Sequence, residues 1–253
     1  MRIFLLCWAV VLTSFPVFSQ PIKSNVYSAA QSPIFNQSGY EERTLLEGST
    51  RDFSHLIVQV ITVLANQPDR LTQQLDEEAV LIIKAGELTL TLGEKRKTLR
   101  PGSAVMIMPG DEYQIENKAA QPLTYYFIRY TSNEVPDLDL YRLMGNSFWV
   151  DWREVPSVSD NHRESRRLLA PATIMSSRIV MQVTKLDPGS RSDAPHSHRA
   201  AELLLILGNP VQVNLDGTLK VAKAGDVVFV ESDVYHAIQN SNQEGSTYLS
   251  FQF

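Results

Sequence analysis

The chain has 253 residues, 43% hydrophobic and 20% charged. That is enough apolar content for a buried core in one large or two ordinary domains, and too much for a disordered chain. Its 28 acidic residues exceed its 23 Lys and Arg, for a net charge of −5, and the absence of a Lys/Arg-rich block argues against nucleic acid as a partner, because backbone binding needs a basic face.

In chain order, the N-terminus reads as an export leader. Arg2 supplies a short positive region, Ile3 to Phe15 is mostly apolar but too short to span a bilayer, and Val17-Phe18-Ser19 offers a small residue for cleavage. Residues 1–19 are therefore expected to be a signal peptide. The mature protein would be periplasmic or secreted, without a stable membrane span. The single cysteine, Cys7, falls inside this leader, so no disulfide is expected and stability must come from the core and from a metal. Residues 20–50 are rich in Ser, Asn, Gln and Pro through about Glu47 and read as an exposed N-terminal arm with few strand signals.

From Arg51 the pattern is that of a β-protein. His55 to Leu64, Ala79 to Ile83, Leu88 to Leu92 and Ala104 to Met108 are β-branched or apolar runs. Gly93-Glu94, Pro101-Gly102 and Pro109-Gly110 punctuate them as turns. Many short strands at close spacing predict an all-β sandwich or barrel over residues 51–131. Residues 132–176, with Trp149 and Trp152, read as a connecting segment packed over a domain. The best helical stretch is short, Asn161 to Leu169. Residues 177–253 form a second β-domain. Its runs Leu203 to Leu207 and Val227 to Val230 are apolar at every position, as in strands buried on both faces.

An internal repeat organises these domains. Gly102 to Tyr130 can be laid on Gly225 to Phe253 without a gap, bringing Asn117 onto Asn240 and Thr124-Tyr125 onto Thr247-Tyr248. The copies differ where chemistry would sit. The second carries His196, His198, Glu202 and His236. On a strand His196 and His198 point to one face, and three imidazoles with one carboxylate make a divalent metal site with open positions. In the first copy Tyr113 stands opposite His236. Taking Glu78 as the counterpart of Glu202 sets Thr72 and Gln74 opposite the paired histidines, and Thr and Gln are poor ligands. Copy one is thus expected to lack a metal. Glu231 and Tyr235, with Asp233 and Gln182, are the acid–base candidates by their nearness in the chain.

Two stretches carry a family resemblance. Gly189-SRSDAP-His196-Ser-His198-RAA-Glu202-LLLIL-Gly208 and Gly225-DVVFV-Glu231-Ser-Asp233-VY-His236-AIQ-Asn240 resemble the two cupin motifs, with Glu231 and Asp233 where the second motif usually has Pro and Gly. The resemblance implies an all-β chain of two tandem cupin barrels of the jelly-roll type (a double-stranded β-helix), a bicupin. It implies His196, His198, Glu202 and His236 as metal ligands, with Mn²⁺ foremost and Fe²⁺, Ni²⁺ and Zn²⁺ as alternatives. A leader, a ligand-poor first barrel and a metal-bearing second one also loosely resemble the secreted (S)-ureidoglycine aminohydrolase-like proteins. That implies a hydrolase releasing ammonia from a ureide-like substrate, although that family's ligands differ from the set here. The alternatives are a cupin dioxygenase or isomerase, or a non-catalytic metal-containing cupin that binds a sugar or an organic acid. In each case the partner is a small molecule, and the chain is a monomer or homodimer.

Overall fold

The computed structural model describes residues 20–37, 39–65, 71–144, 146–160, 162–169 and 172–253; the expected leader, residues 1–19, lies outside them. Among the described residues the strands are, in chain order, β1 (Asn25–Tyr27), β2 (Phe35–Gln37), β3 (Tyr40–Gly48), β4 (Phe53–Val63), β5 (Glu78–Ala85), β6 (Leu88–Leu92), β7 (Lys95–Leu99), β8 (Ala104–Ile107), β9 (Tyr113–Glu116), β10 (Leu123–Ser132), β11 (Phe148–Val150), β12 (Val158–Asp160), β13 (Arg163–Leu169), β14 (Val180–Leu186), β15 (Glu202–Ile206), β16 (Val211–Leu215), β17 (Thr218–Ala222), β18 (Val227–Val230), β19 (His236–Gln239) and β20 (Ser246–Gln252). A short helix, α1 (Leu138–Met144), precedes β11. None of the described helices is long and apolar enough to cross a membrane.

The strands build two barrels of the same design. In the first, a seven-stranded sheet of order β11-β8-β5-β10-β4-β3-β2 faces a three-stranded sheet β7-β6-β9. In the second, β1-β18-β15-β20-β14-β13-β12 faces β17-β16-β19. The register repeats at the offset that lays Gly102 on Gly225: Leu81 pairs with Phe127 as Leu204 pairs with Ser250.

Strand alternation explains why the central strands are apolar throughout. On β5, Ala79, Leu81 and Ile83 turn into the first barrel, while Val80 and Ile82 turn out of it. On β15, Leu204 and Ile206 fill the second barrel, while Leu203 and Leu205 turn out. The outward residues of both large sheets meet in one shared core between the barrels. At its edge the Phe53 ring is stacked on both sides, by Tyr130 at 4.5 Å and by Phe253 at 4.4 Å between centroids. Each pair adds about 0.5–1.5 kcal/mol beyond the area it buries.

Three readings change. The segment 20–50 is not a bare arm: it supplies β1, β2 and β3 and buries Ile22, Leu45 and Leu46. Its Glu41-Glu42-Arg43 run masks the alternation, because that part of β3 is half-exposed. The segment 132–176 supplies α1, β11, β12 and the whole of a seven-residue strand, β13, over the stretch read as helical. Pairing with β14 along Arg163–Leu169 overrides the helix propensity of its Glu, Arg and Leu. Finally, each half lends its first strand to the other. β1 pairs with β18 (Asn25 opposite Phe229), and β11 pairs with β8 (Phe148 opposite Met106).

Candidate metal centre

The four candidate ligands come from two sheets and one irregular segment. His236 opens β19 of the small sheet and Glu202 opens β15 of the large one. His196 and His198 lie in the segment before β15. His196 is tied to His236 by two backbone hydrogen bonds, His196 N to His236 O at 3.1 Å and the reverse at 2.8 Å. His198 O accepts from Asp233 N at 2.8 Å.

Each imidazole is fixed by its own neighbourhood. His196 Nδ1 lies 2.9 Å from the Ala194 carbonyl, His198 Nδ1 2.8 Å from that of Ala200, and His236 Nδ1 2.9 Å from that of Val234. A carbonyl only accepts, so each Nδ1 donates and carries the proton, and each Nε2 is left with a lone pair. One ring nitrogen from each histidine lies within 4.8 Å of the others. Glu202 Oε2 stands 3.3 Å from His236 Nε2 and 3.8 Å from His198 Nε2. His198 Nε2 is buried with no hydrogen-bond partner, an arrangement that costs free energy unless something occupies the space it faces. Three neutral imidazoles, one carboxylate and an orphaned buried nitrogen fit a divalent first-row ion. Burial opposes charge on His236, but the Glu202 carboxylate and the Val234 carbonyl outweigh it and raise its pKa, so an ion at Nε2 would compete with a proton that Glu202 favours.

The cavity beside these residues measures about 90 Å³ and is walled by Gln182 and Thr184 of β14 and by Tyr248, Ser250 and Gln252 of β20. Gln252 Nε2 donates to Glu202 Oε1 at 3.1 Å, orienting the carboxylate. At the rim Arg163 donates to Ser192 O, to Asp193 and to Asp160, so its charge is already matched.

The structure places Gln182 in this wall. Glu231 and Tyr235 stand elsewhere. Glu231 accepts from Ser24 N at 2.8 Å and from Lys23 Nζ at 3.2 Å, and these contacts hold its carboxyl below the usual range despite partial burial. The Tyr235 ring is 49% exposed and does not line the cavity. Asp233 pairs with Arg51.

The first-copy counterparts shift by one residue. Gln73 is bridged to Tyr113 as His196 is to His236, and Gly110 N donates to Leu75 O as Asp233 N does to His198 O. Ala79 pairs opposite Arg129 in the first barrel as Glu202 pairs opposite Gln252 in the second. The matched set is therefore Gln73, Leu75, Ala79 and Tyr113, in place of Thr72, Gln74, Glu78 and Tyr113. Glu78 matches Ala201 and faces the core between the barrels, where it accepts from Thr173 Oγ1 at 2.7 Å and Met175 N at 3.2 Å. Sequence reasoning also missed Thr184, Ser250, Gln252, Asp193 and Arg163. The repeat carried a signal for the first two: its offset sets them opposite apolar Ile61 and Phe127, so polarity appears only in copy two.

Twin barrels joined face to face, one with a histidine–carboxylate cluster that could hold a metal ion, define a two-barrel β-protein. The cupin domain family matches residues 73–129 and 182–251, and the chain belongs to it. No curated protein sequence matches. Among solved structures the chain is similar to AerE from Microcystis aeruginosa (TM-score 0.68, 14% identity, 87% of this chain and 96% of that one). It is also similar to a mutant form of oxalate decarboxylase OxdC from Bacillus subtilis (0.70, 12%, 94% and 79%). A third is the formate complex of oxalate decarboxylase from Lactobacillus farciminis (0.69, 12%, 94% and 88%). At these identities the likeness is one of fold.

Proposed function

We propose that the protein is a metal-dependent enzyme whose second barrel holds one divalent ion on His196, His198, Glu202 and His236 and acts on a small polar metabolite. The observation that carries this reading is the convergence of three Nδ1-anchored imidazoles and Glu202 around a buried, unpartnered His198 Nε2. When bound, the ion would supply Lewis acidity, polarising a carbonyl or lowering the pKa of a water. Manganese is the first candidate, and the Mn(II) centres of Bacillus subtilis oxalate decarboxylase support it by analogy of fold.

The chain's own residues set the rest. A cavity of about 90 Å³ admits a ligand of only a few heavy atoms. Gln182, Thr184, Ser250 and Gln252 offer it neutral donors and acceptors. Acid–base work falls to Asp193 at the rim, in preference to Glu231 and Tyr235, which are turned away, while the buried Tyr248 phenol, its pKa pushed well up by burial, stays protonated as a hydrogen-bond donor. Two substrate classes suit this wall: a ureide losing ammonia, which the leader and the unequal barrels favour, and a small carboxylic acid, which the oxalate decarboxylase likeness favours. A leader over residues 1–19, as the sequence reads, would put the work in the periplasm or the exterior.

The test is metal analysis of protein purified without added metal, followed by assays of the Mn²⁺-loaded protein for ammonia release from ureides and for turnover of short carboxylic acids. His198→Ala and Glu202→Ala are expected to lose turnover and keep their fold. Metal below a tenth of an equivalent with no uptake on titration refutes the site. Unfolding of both variants, with no turnover by the wild type, supports a metal clip in a binding protein instead.

A further inference from the structure

The turn that delivers His236 is built differently in the two barrels. In the first, the equivalent turn is Met108-Pro109-Gly110, and Gly110 adopts φ +80°, which glycine takes freely. In the second it is Glu231-Ser232-Asp233, and Asp233 adopts φ +65°, a backbone state that disfavours a side chain. Something must hold this turn in place of the Pro-Gly pair, and among the described residues its side chains are held by Lys23, Ser24 and Arg51.

Glu231 is gripped by Ser24 and Lys23. Ser24 N and Oγ donate to Glu231 Oε2 at 2.8 and 3.1 Å, and Glu231 N donates back to Ser24 Oγ at 2.8 Å. Asp233 Oδ2 accepts from Arg51 Nη1 at 3.0 Å. On the adjoining segment, Arg199 Nη2, next to His198, donates to Asp52 Oδ1 at 2.9 Å. Asp233 N closes the ring by donating to His198 O. Arg51 and Asp52 sit in the β3–β4 turn of the first barrel, and Ser24 precedes the exchanged strand β1. Asn133 braces this turn, its Nδ2 donating to Arg51 O and its N to Asp52 O.

We infer that Arg51, Asp52 and Ser24 are positioning residues for the metal centre: the first repeat clamps the turn and segment that present His236 and His198, replacing the local rigidity that Pro-Gly provides in copy one. This rests on the metal site proposed above. It gives the ligand-free first barrel a direct part in the chemistry. It also explains why Asp233 keeps a strained backbone, since glycine there could not reach Arg51.

The experiment titrates Mn²⁺ into metal-stripped full-length protein by calorimetry, records Co²⁺ absorption spectra, and measures thermal midpoints in chelator. Wild type is expected to bind about one equivalent. Arg51→Ala and Asp233→Gly are each expected to weaken binding about threefold, and together no more than either alone, because they break one pair. Asp233→Gly also relieves backbone strain, so its chelated midpoint should not fall even though its affinity does, a split that a purely structural role would not produce. Arg51→Ala with Asp52→Ala should weaken binding about tenfold and shift the Co²⁺ bands, and the exchanged pair Asp52→Arg with Arg199→Asp should recover part of the loss. Affinities within twofold of wild type in all variants, or losses that track lowered chelated midpoints, overturn the inference. A wild type that takes up no metal overturns the site itself and this inference with it.

Discussion

Gln252 reaches from β20 to donate to Glu202 Oε1, leaving Oε2 turned toward His236 and His198. Groups that orient a ligand in this way commonly govern metal affinity by 10–100-fold. Gln252→Leu is therefore expected to weaken Mn²⁺ binding by about that factor with little change in the chelated midpoint; unchanged affinity by calorimetry would show that Glu202 needs no such support. Glu78 makes a second residue-level case. Burial raises its pKa more than the hydrogen bonds from Thr173 and Met175 lower it. The folded state thus holds the proton more tightly than the unfolded chain. This contribution to stability is complete below the unfolded value of about 4.3 and is lost as pH rises through the folded one. Glu78→Gln should flatten that loss, so its melting midpoint should fall less than wild type's as pH rises above about 4.3; parallel curves would refute the assignment. The four candidate positions could be singled out from spacing, because His-x-His and a distant His are rare in a chain with five histidines, and the fold brings them together. The residues around them could not. Gln252 and Asp193 look like ordinary strand and loop residues until folding brings them to the cavity.

Strands with an apolar residue at every position were legible, and so was the reason, since β5, β15 and β18 each face a barrel on one side and the shared core on the other. Elements that lie at edges were not. β1 and β11 are three residues each, and β13 hides its pattern beneath half-buried Arg163, Glu164 and Arg166 and exposed Arg167. Phe53, at the start of β4, tests the shared core. It is 1% exposed and stacked between Tyr130 and Phe253, so Phe53→Ala should cost about 3–5 kcal/mol in urea unfolding. A loss below about 1 kcal/mol would mean that the barrels do not depend on this stack.

At the scale of the molecule, the repeat found by laying Gly102 on Gly225 holds through the register of both barrels. The sequence missed how far it extends. β1, β2 and β3 answer β11, β12 and β13, so the halves are longer than the regions that look alike. At the same offset Glu41, Arg43, Leu45 and Leu46 of β3 meet Glu164, Arg166, Leu168 and Leu169 of β13, a short likeness that the polar residues of both strands hide. The traded strands have one more consequence. Residues 133–144 lie between the halves, and Val135, Leu138 and Leu143 there are largely exposed, so a protease has access to the tether. A single nick there severs the covalent link but leaves each fragment still threaded into its neighbour's sheet. The cleaved molecule should elute at the size of the intact one and come apart only in denaturant, a chain that has become a heterodimer without changing its shape.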